Sequence, residues 1–179
     1  MASNPINTLD RFTSFSQEIA ALEALRNSRR SKIKKYPTVS VLVSTLRADD
    51  LSHLLDQLIA QTLPAFELVL GLHTIELSAS HKRQIAALNR RKIKIIAKEF
   101  SKNKTLGMIL SELAKLSSGE FIAKMDDDDY YGPEHLRDLL DAAVATKADV
   151  VGRAMNYVYL EPLQLTVRRF APHGTQAVE

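Results

Sequence analysis

Glu120-Phe121-Ile122-Ala123-Lys124-Met125-Asp126-Asp127-Asp128-Asp129-Tyr130-Tyr131-Gly132-Pro133 is the stretch on which the reading of this chain turns. A short apolar run, as in a strand, ends in four consecutive carboxylates, and a helix-start signal follows at Pro133. Two carboxylates about 6 Å apart repel by roughly 3 kcal/mol at an effective dielectric near 20, so a fold seldom gathers four without a nearby positive charge. Oxygen-only ligands suit a hard divalent ion, Mg²⁺ or Mn²⁺, held through one or two carboxylates plus substrate phosphates. A solvated acidic loop favouring the N-terminus of the next helix fits the four residues equally well. The flanking elements have to choose between the two.

Upstream, Thr38–Ser44 is β-branched and apolar on both faces, as a buried parallel strand should be. Asp49 or Asp50 is expected to cap a helix with Leu51, Leu54, Leu55, Leu58 and Ile59 on one face, ending near Thr62 and Pro64. Glu67–Leu72 reads as a second strand, residues 80–89 as a helix carrying Ile85 and Leu88, and Lys92–Ala97 as a third strand. Thr105 opens a helix whose buried face is Leu106, Ile109, Leu110, Leu113 and Ala114, and Gly119 ends it. The fourth strand is Glu120–Met125. Past the acidic run, Leu136, Leu139, Leu140, Ala143 and Val144 stripe one more helix, and strand-like pieces at 149–153, 157–160 and 165–170 close the chain.

Such alternation of strand and helix predicts an α/β domain, a mostly parallel sheet with helices on both faces. Ligands of these sheets bind beyond the carboxyl ends of the strands, where the winding reverses. If the strand order is 3-2-1-4, the first and fourth strands adjoin at that reversal. Thr45, Leu46 and Arg47 then face Asp126–Asp129 across one crevice, which favours the metal–phosphate reading.

Composition sets wide bounds. A chain of 179 residues with 45% hydrophobic and 25% charged residues is long enough for one domain with a real core. A formal charge of +3 does not by itself imply nucleic acid. Cysteine is absent, which excludes disulfides and thiolate metal sites and points to a reducing compartment. The five histidines never fall at zinc-ligand spacing, and neither a nucleophile elbow nor a glycine-rich phosphate loop before a lysine is present. With no secretion signal and no apolar run of membrane-spanning length, the expected location is cytoplasmic.

Residues 1–36 read as a preceding segment. An amphipathic helix over 8–30 puts Phe12, Phe15, Ile19, Leu22 and Leu25 on one face, then runs into the cations Arg26, Arg29, Arg30, Lys32, Lys34 and Lys35. Two readings fit: a packing helix followed by a solvated linker, or an interfacial helix whose basic collar touches anionic headgroups as a peripheral contact at the inner membrane face. No aromatic residues alternate with the cations, so nucleic-acid stacking has no support. Pro37 marks the start of the main domain, 37–179.

Taken together, Val39–Thr45, the helix ending Gln61-Thr62-Leu63-Pro64, Phe66-Glu67-Leu68-Val69, Leu106-Gly107, the run Ser118–Ile122, and Asp126–Asp129 with Tyr131-Gly132-Pro133 resemble family 2 glycosyltransferases over residues 37–153. The resemblance implies the Rossmann-like GT-A fold and transfer from a nucleotide-diphosphate sugar, with Mn²⁺ or Mg²⁺, to a glycan or lipid-linked acceptor. It implies that the acidic run is the family's Asp-x-Asp motif. Asp126 and Asp128 then hold the metal, with Asp129 supporting, and Asp126 and Asp127 meet the nucleotide sugar. Thr45 and Arg47 match the loop that cradles the nucleotide, although an exposed loop cation is an equal reading of Arg47.

The departures are specific. The family commonly carries an Asp pair after the second strand to recognise the base; here Leu72 and His73 stand there, and His73 is either a donor to the base or a plain loop histidine. An Asn frequent in the middle helix is Ser111. Glu161 and Glu179 are the only acidic residues after Asp149, and neither sits in the family's pattern, so no catalytic base is assigned. The last residues, Gly174–Glu179, fall about where the acceptor-binding half begins, and most of that half is expected to be lacking. A non-catalytic remnant of the same fold is therefore the competing reading. A metal-dependent phosphatase or receiver-like domain is the least favoured, because those folds place an Asp where this chain has Ser44-Thr45-Leu46.

Overall fold

A computed structural model describes residues 15–153 and 157–168. Lys35–Arg137 form one compact unit, and the described residues on either side form a second. Phe12, Phe170 and Gly174–Glu179 lie outside the described residues.

The first unit is built on four parallel strands, β1 (Val39–Thr45), β2 (Glu67–His73), β3 (Lys94–Phe100) and β4 (Phe121–Lys124), in the spatial order β3-β2-β1-β4. This is the order expected from the alternation. Between the strands run α2 (Ala48–Ala60), α3 (Ala79–Arg90) and α4 (Leu106–Leu116). Every residue of β1 and β2 except Ser44 and His73 is buried, as continuous apolar strands covered on both faces must be. On one face Leu42, Val69 and Phe100 pack with Ile109 and Leu113 of α4. A Cβ on Gly71 would stand 3.0 Å from Ile109 and 3.1 Å from Leu113, so the helix rests directly on the strand there. Side-chain alternation turns Val41, Val43, Leu68 and Leu70 to the opposite face. On α2, Leu51, Leu54, Leu55 and Leu58 are fully buried; each such leucine contributes roughly 1.5–3 kcal/mol.

Polar pins hold the amino ends of the strands. Glu67, buried, accepts from the Ser40 hydroxyl (2.6 Å), the Ser118 N–H (2.9 Å), the Ser118 hydroxyl (3.0 Å) and Lys94 Nζ (2.5 Å). Ser40 in turn accepts from the Gly119 N–H at 2.9 Å. Burial opposes charge on Glu67, yet the Lys94, Ser40 and Ser118 donors outweigh it and bring its pKa down to about 2. Arg91, just past α3, turns back on α2 and donates to the carbonyls of Ile59 and Gln61, serving the carbonyls that a helix end leaves unpaired.

Several expected boundaries move. α2 begins at Ala48 with Arg47 as N-cap and no side-chain cap bond, so Asp49 and Asp50 occupy the first turn rather than the cap. α4 does start behind Thr105, whose hydroxyl accepts from the Met108 N–H, but it ends at Leu116. Gly119 serves closeness instead: a Cβ there would lie 2.5 Å from Ser40 N and 2.8 Å from Val39 C. The last helix of the pattern, α5, runs His135–Thr146, two residues after Pro133, whose carbonyl accepts from the Thr62 N–H. Residues 149–153 form no strand.

The second unit contains α1 (Phe15–Arg30), most of α5, and an antiparallel hairpin of β5 (Tyr157–Leu160) and β6 (Leu165–Arg168). Ile19, Leu22 and Leu25 of α1 are exposed. Part of the basic collar is spent on α5, which the sequence did not suggest. Arg26 takes Asp138 with two bonds (2.9 and 2.7 Å), Arg30 reaches Asp141 at 2.8 Å and Asp138 at 3.2 Å, and Arg153 adds a third cation to Asp138 at 2.8 Å. Lys32, Lys34 and Lys35 remain exposed. No described helix is long and apolar enough to cross a membrane.

Candidate functional site

β4 pairs with β1 from Val39↔Phe121 to Leu42↔Lys124, and the Met125 N–H still bonds to the Leu42 carbonyl at 3.0 Å. The acidic run therefore leaves the sheet one residue later, while β1 continues alongside to Thr45. Backbone register alone brings Asp127 to Thr45, whose hydroxyl donates to Asp127 Oδ2 at 2.6 Å. Arg47 closes the pairing, with Nη2 2.6 Å from Asp127 Oδ1 and 3.0 Å from Asp128 Oδ2, and Nε 2.7 Å from Asp50. Thr45 and Arg47 thus stand in direct contact with Asp127 and Asp128 where β1 and β4 adjoin.

The four carboxylates have separate fates. Asp127 keeps only 7% of its side chain exposed, and both of its oxygens are engaged. Asp128 leaves 57% to solvent; the Arg47 bond, stronger than the slight burial, draws its pKa down, so it is ionised at neutral pH. The pKa of Arg47 is raised by the same pairings, first with Asp127 and then with Asp128. Asp126 is paired by Lys124, and Asp129 accepts from the Tyr131 hydroxyl at 3.4 Å. The repulsion expected within the run is relieved by the protein's own cations, Arg47 and Lys124.

Among the described residues no three acidic or histidine side chains form a ready cage for a metal ion. A hard divalent ion needs only one or two carboxylates beside substrate phosphates. Asp126 and Asp128 are both open to solvent, and their partners Lys124 and Arg47 are themselves exposed. Asp127 is different: committed to Thr45 and Arg47, it acts as the fixed point of the site.

His73 ends β2, one residue beyond Leu72, which pairs in register with Thr45. It stands on the same sheet edge, but its Nε2 is buried and has no hydrogen-bond partner among the described residues. Sequence reasoning missed Lys124, Asp50, Gln57 and Gln61. Lys124 and Asp50 are close in sequence to residues already singled out; Gln57 on α2 and Gln61 at its C-cap gave no signal of what they bind.

Residues 40–173 match the model of glycosyl transferase family 2. A comparison with curated proteins returned no match. Among solved structures, the chain is similar to S. aureus TarS 1–349, at 25% identity and a TM-score of 0.51 over 66% of this chain and 38% of that one. It is also similar in fold to the mannosyltransferase PcManGT of Pyrobaculum calidifontis, solved with GDP-Man and Mn²⁺, at 21% identity and a TM-score of 0.51 over 74% of this chain and 41% of that one. In each case the match spans about two-fifths of the relative's length.

Proposed function

The chain belongs to glycosyl transferase family 2, and from that premise we propose that it binds a nucleotide-diphosphate sugar through a divalent cation at Asp126–Asp129, for transfer to a polysaccharide or glycoconjugate acceptor. The observation that carries the reading is the meeting of Thr45, Arg47, Asp127 and Asp128 where the first and fourth strands adjoin. Asp128 and Asp126 would hold Mn²⁺ or Mg²⁺, with Asp129 behind them. Asp126, Asp127, Thr45 and Arg47 would meet the donor. The bound ion would supply neutralisation of the charge that develops on the leaving diphosphate. Arg47, held by Asp127 and Asp50, carries further N–H groups that would meet the same phosphates. His73, at the end of β2, is the group proposed for the base; its buried Nε2, without a hydrogen-bond partner among the described residues, has to be uncovered for that contact. The relative that binds GDP-Man and Mn²⁺ supports the donor and metal classes.

For the acceptor, we extend the reading to a lipid-linked or glycan molecule, handled in the cytoplasm with peripheral contact at the inner membrane face. Support comes from the exposed Ile19, Leu22 and Leu25 of α1 and the exposed Lys32 and Lys34 that follow it in the chain. Co-sedimentation with vesicles containing anionic lipid, and none with neutral ones, is the expected behaviour; equal behaviour with both removes this extension.

The donor site is tested by thermal unfolding with GDP and UDP, each with and without Mn²⁺. At a nucleotide concentration about 100 times Kd the midpoint should rise by roughly 5–11 °C, only when metal is present. Asp128→Ala should abolish that rise. A rise that persists in Asp128→Ala refutes the metal assignment.

A further inference from the structure

We propose that Gln57, acting through Tyr131, is the positioning residue of the acidic turn: it fixes the backbone from Asp126 to Tyr131 so that the carboxylates meet a metal–diphosphate already arranged. The inference rests on the donor site proposed above and names a residue that the site does not itself contain.

Both ends of the Gln57 carboxamide are used. Its Oε1 accepts from the Tyr131 N–H, and its Nε2 donates to the Asp129 carbonyl at 3.1 Å. Tyr131 passes the restraint on. Its hydroxyl accepts from the Asp126 N–H at 2.8 Å and donates to the Asp129 carboxylate at 3.4 Å, closing the turn from its first acid to its last. The ring is held edge-on against His135, 4.7 Å between centroids. One helical turn on, Gln61 repeats the device. It donates to the Gly132 carbonyl at 2.9 Å and accepts from the Leu136 N–H at 3.1 Å, and Thr62 N–H reaches the Pro133 carbonyl at 2.8 Å. Gln57 near the end of α2 and Gln61 and Thr62 just past it therefore lace the whole segment from Asp129 to Leu136.

The physical need is plain. The turn leaves the sheet after β4, a strand of four residues, so its N–H groups have no strand to bond. Ordering each residue of such a turn costs conformational entropy. Through Gln57 that ordering is achieved before any ligand arrives, against a helix fixed by four buried leucines. Sites held on rigid elements by a supporting shell keep their geometry.

The test uses the full chain as wild type, Gln57→Met, Tyr131→Phe and the double variant, with Glu67→Gln as a variant that weakens the fold at the opposite end of the sheet. Mn²⁺ is titrated at fixed GDP or UDP, read by the free-Mn²⁺ paramagnetic resonance signal and by the unfolding midpoint; nucleotide binding is measured again without metal. Each single variant should raise the apparent Kd for Mn²⁺ about tenfold while metal-free nucleotide binding stays within about twofold. Because both act on one turn, the double variant should fall short of the product of the two. Glu67→Gln should lower the midpoint and leave the Mn²⁺ affinity unchanged. Single variants within about twofold of wild type, or an equal loss of Mn²⁺ affinity in Glu67→Gln, overturn the proposal. Wild-type protein without any Mn²⁺ dependence is a different result: it removes the donor site itself, and the clamp's purpose with it.

Discussion

Glu67→Gln should destabilise the protein in a manner that depends on pH. The Glu67 carboxylate takes the donors of Ser40, Ser118 and Lys94, tying β1, β2, β3 and the turn before β4 at one point. An amide in its place presents an N–H₂ to groups that are themselves donors, and loses the charge that strengthens each bond. Leaving buried donors unmatched costs about 2–3 kcal/mol near neutral pH. The drop of the carboxyl from 4.5 to about 2 corresponds to roughly 3 kcal/mol at most. The Lys94 side chain is 61% exposed and screened by water, so about 1.5–2 kcal/mol is the expected share. Because the folded form binds its proton at lower pH than the unfolded form, that share is complete above about pH 4.5 and is lost as pH falls toward 2. The glutamine variant has no such term. Urea unfolding at pH 7 and pH 2.5 should therefore show the gap between wild type and variant shrinking by about 1.5–2 kcal/mol at the acid end. Glu112, held at about 2 by Lys98 and Lys104, titrates in the same window, but it is common to both proteins and cancels in the difference. An identical gap at both pH values would refute the reasoning, as would a gap below about 0.5 kcal/mol at pH 7.

Two further substitutions follow from the geometry. Gly119→Ala drives a methyl into backbone atoms of Val39 and Ser40 that cannot rotate away; a loss of about 3 kcal/mol is expected in urea titration, and a change under about 0.5 kcal/mol would contradict the close approach. Arg47→Gln removes the cation now resting on Asp127 and Asp128. In the proposed site, Mn²⁺ alone should bind up to about fivefold more tightly to this variant, by loss of a competing ion pair, whereas GDP with Mn²⁺ should bind less tightly. Parallel loss of both affinities would mean that Arg47 shapes the turn rather than competing for it.

Much of the fold was legible in the residues themselves. The apolar strand patterns and the leucine stripe of α2 sufficed for the alternation of elements, and right-handed crossovers narrowed the layouts, of which the structure adopts the order β3-β2-β1-β4. That order in turn placed Thr45 and Arg47 beside the acidic run. Burial is non-directional, so any sequence with the right period and length satisfies it; a local pattern therefore carries the information. Element ends were less legible: Asp49 or Asp50 was expected as a cap, yet the helix starts earlier, with Arg47 at that position and its guanidinium on Asp127 and Asp128.

Polar partnership is another matter. Gln57 meets Tyr131 across 74 residues, Glu67 meets Ser118 across 51, and Arg26 meets Asp138 across 112. A hydrogen bond is made or lost within a few tenths of an ångström and a narrow range of angle. No periodicity encodes which of many donors arrives at such a distance. The sequence by itself determined the alternation of strand and helix, the buried leucine face of α2 and where the acids leave the sheet, while the choice among the possible strand orders fell to the fold. Only the tertiary structure decided which cations neutralise those acids, which helix holds the turn and which arginines α1 spends on α5, because those choices depend on where separate segments come to rest.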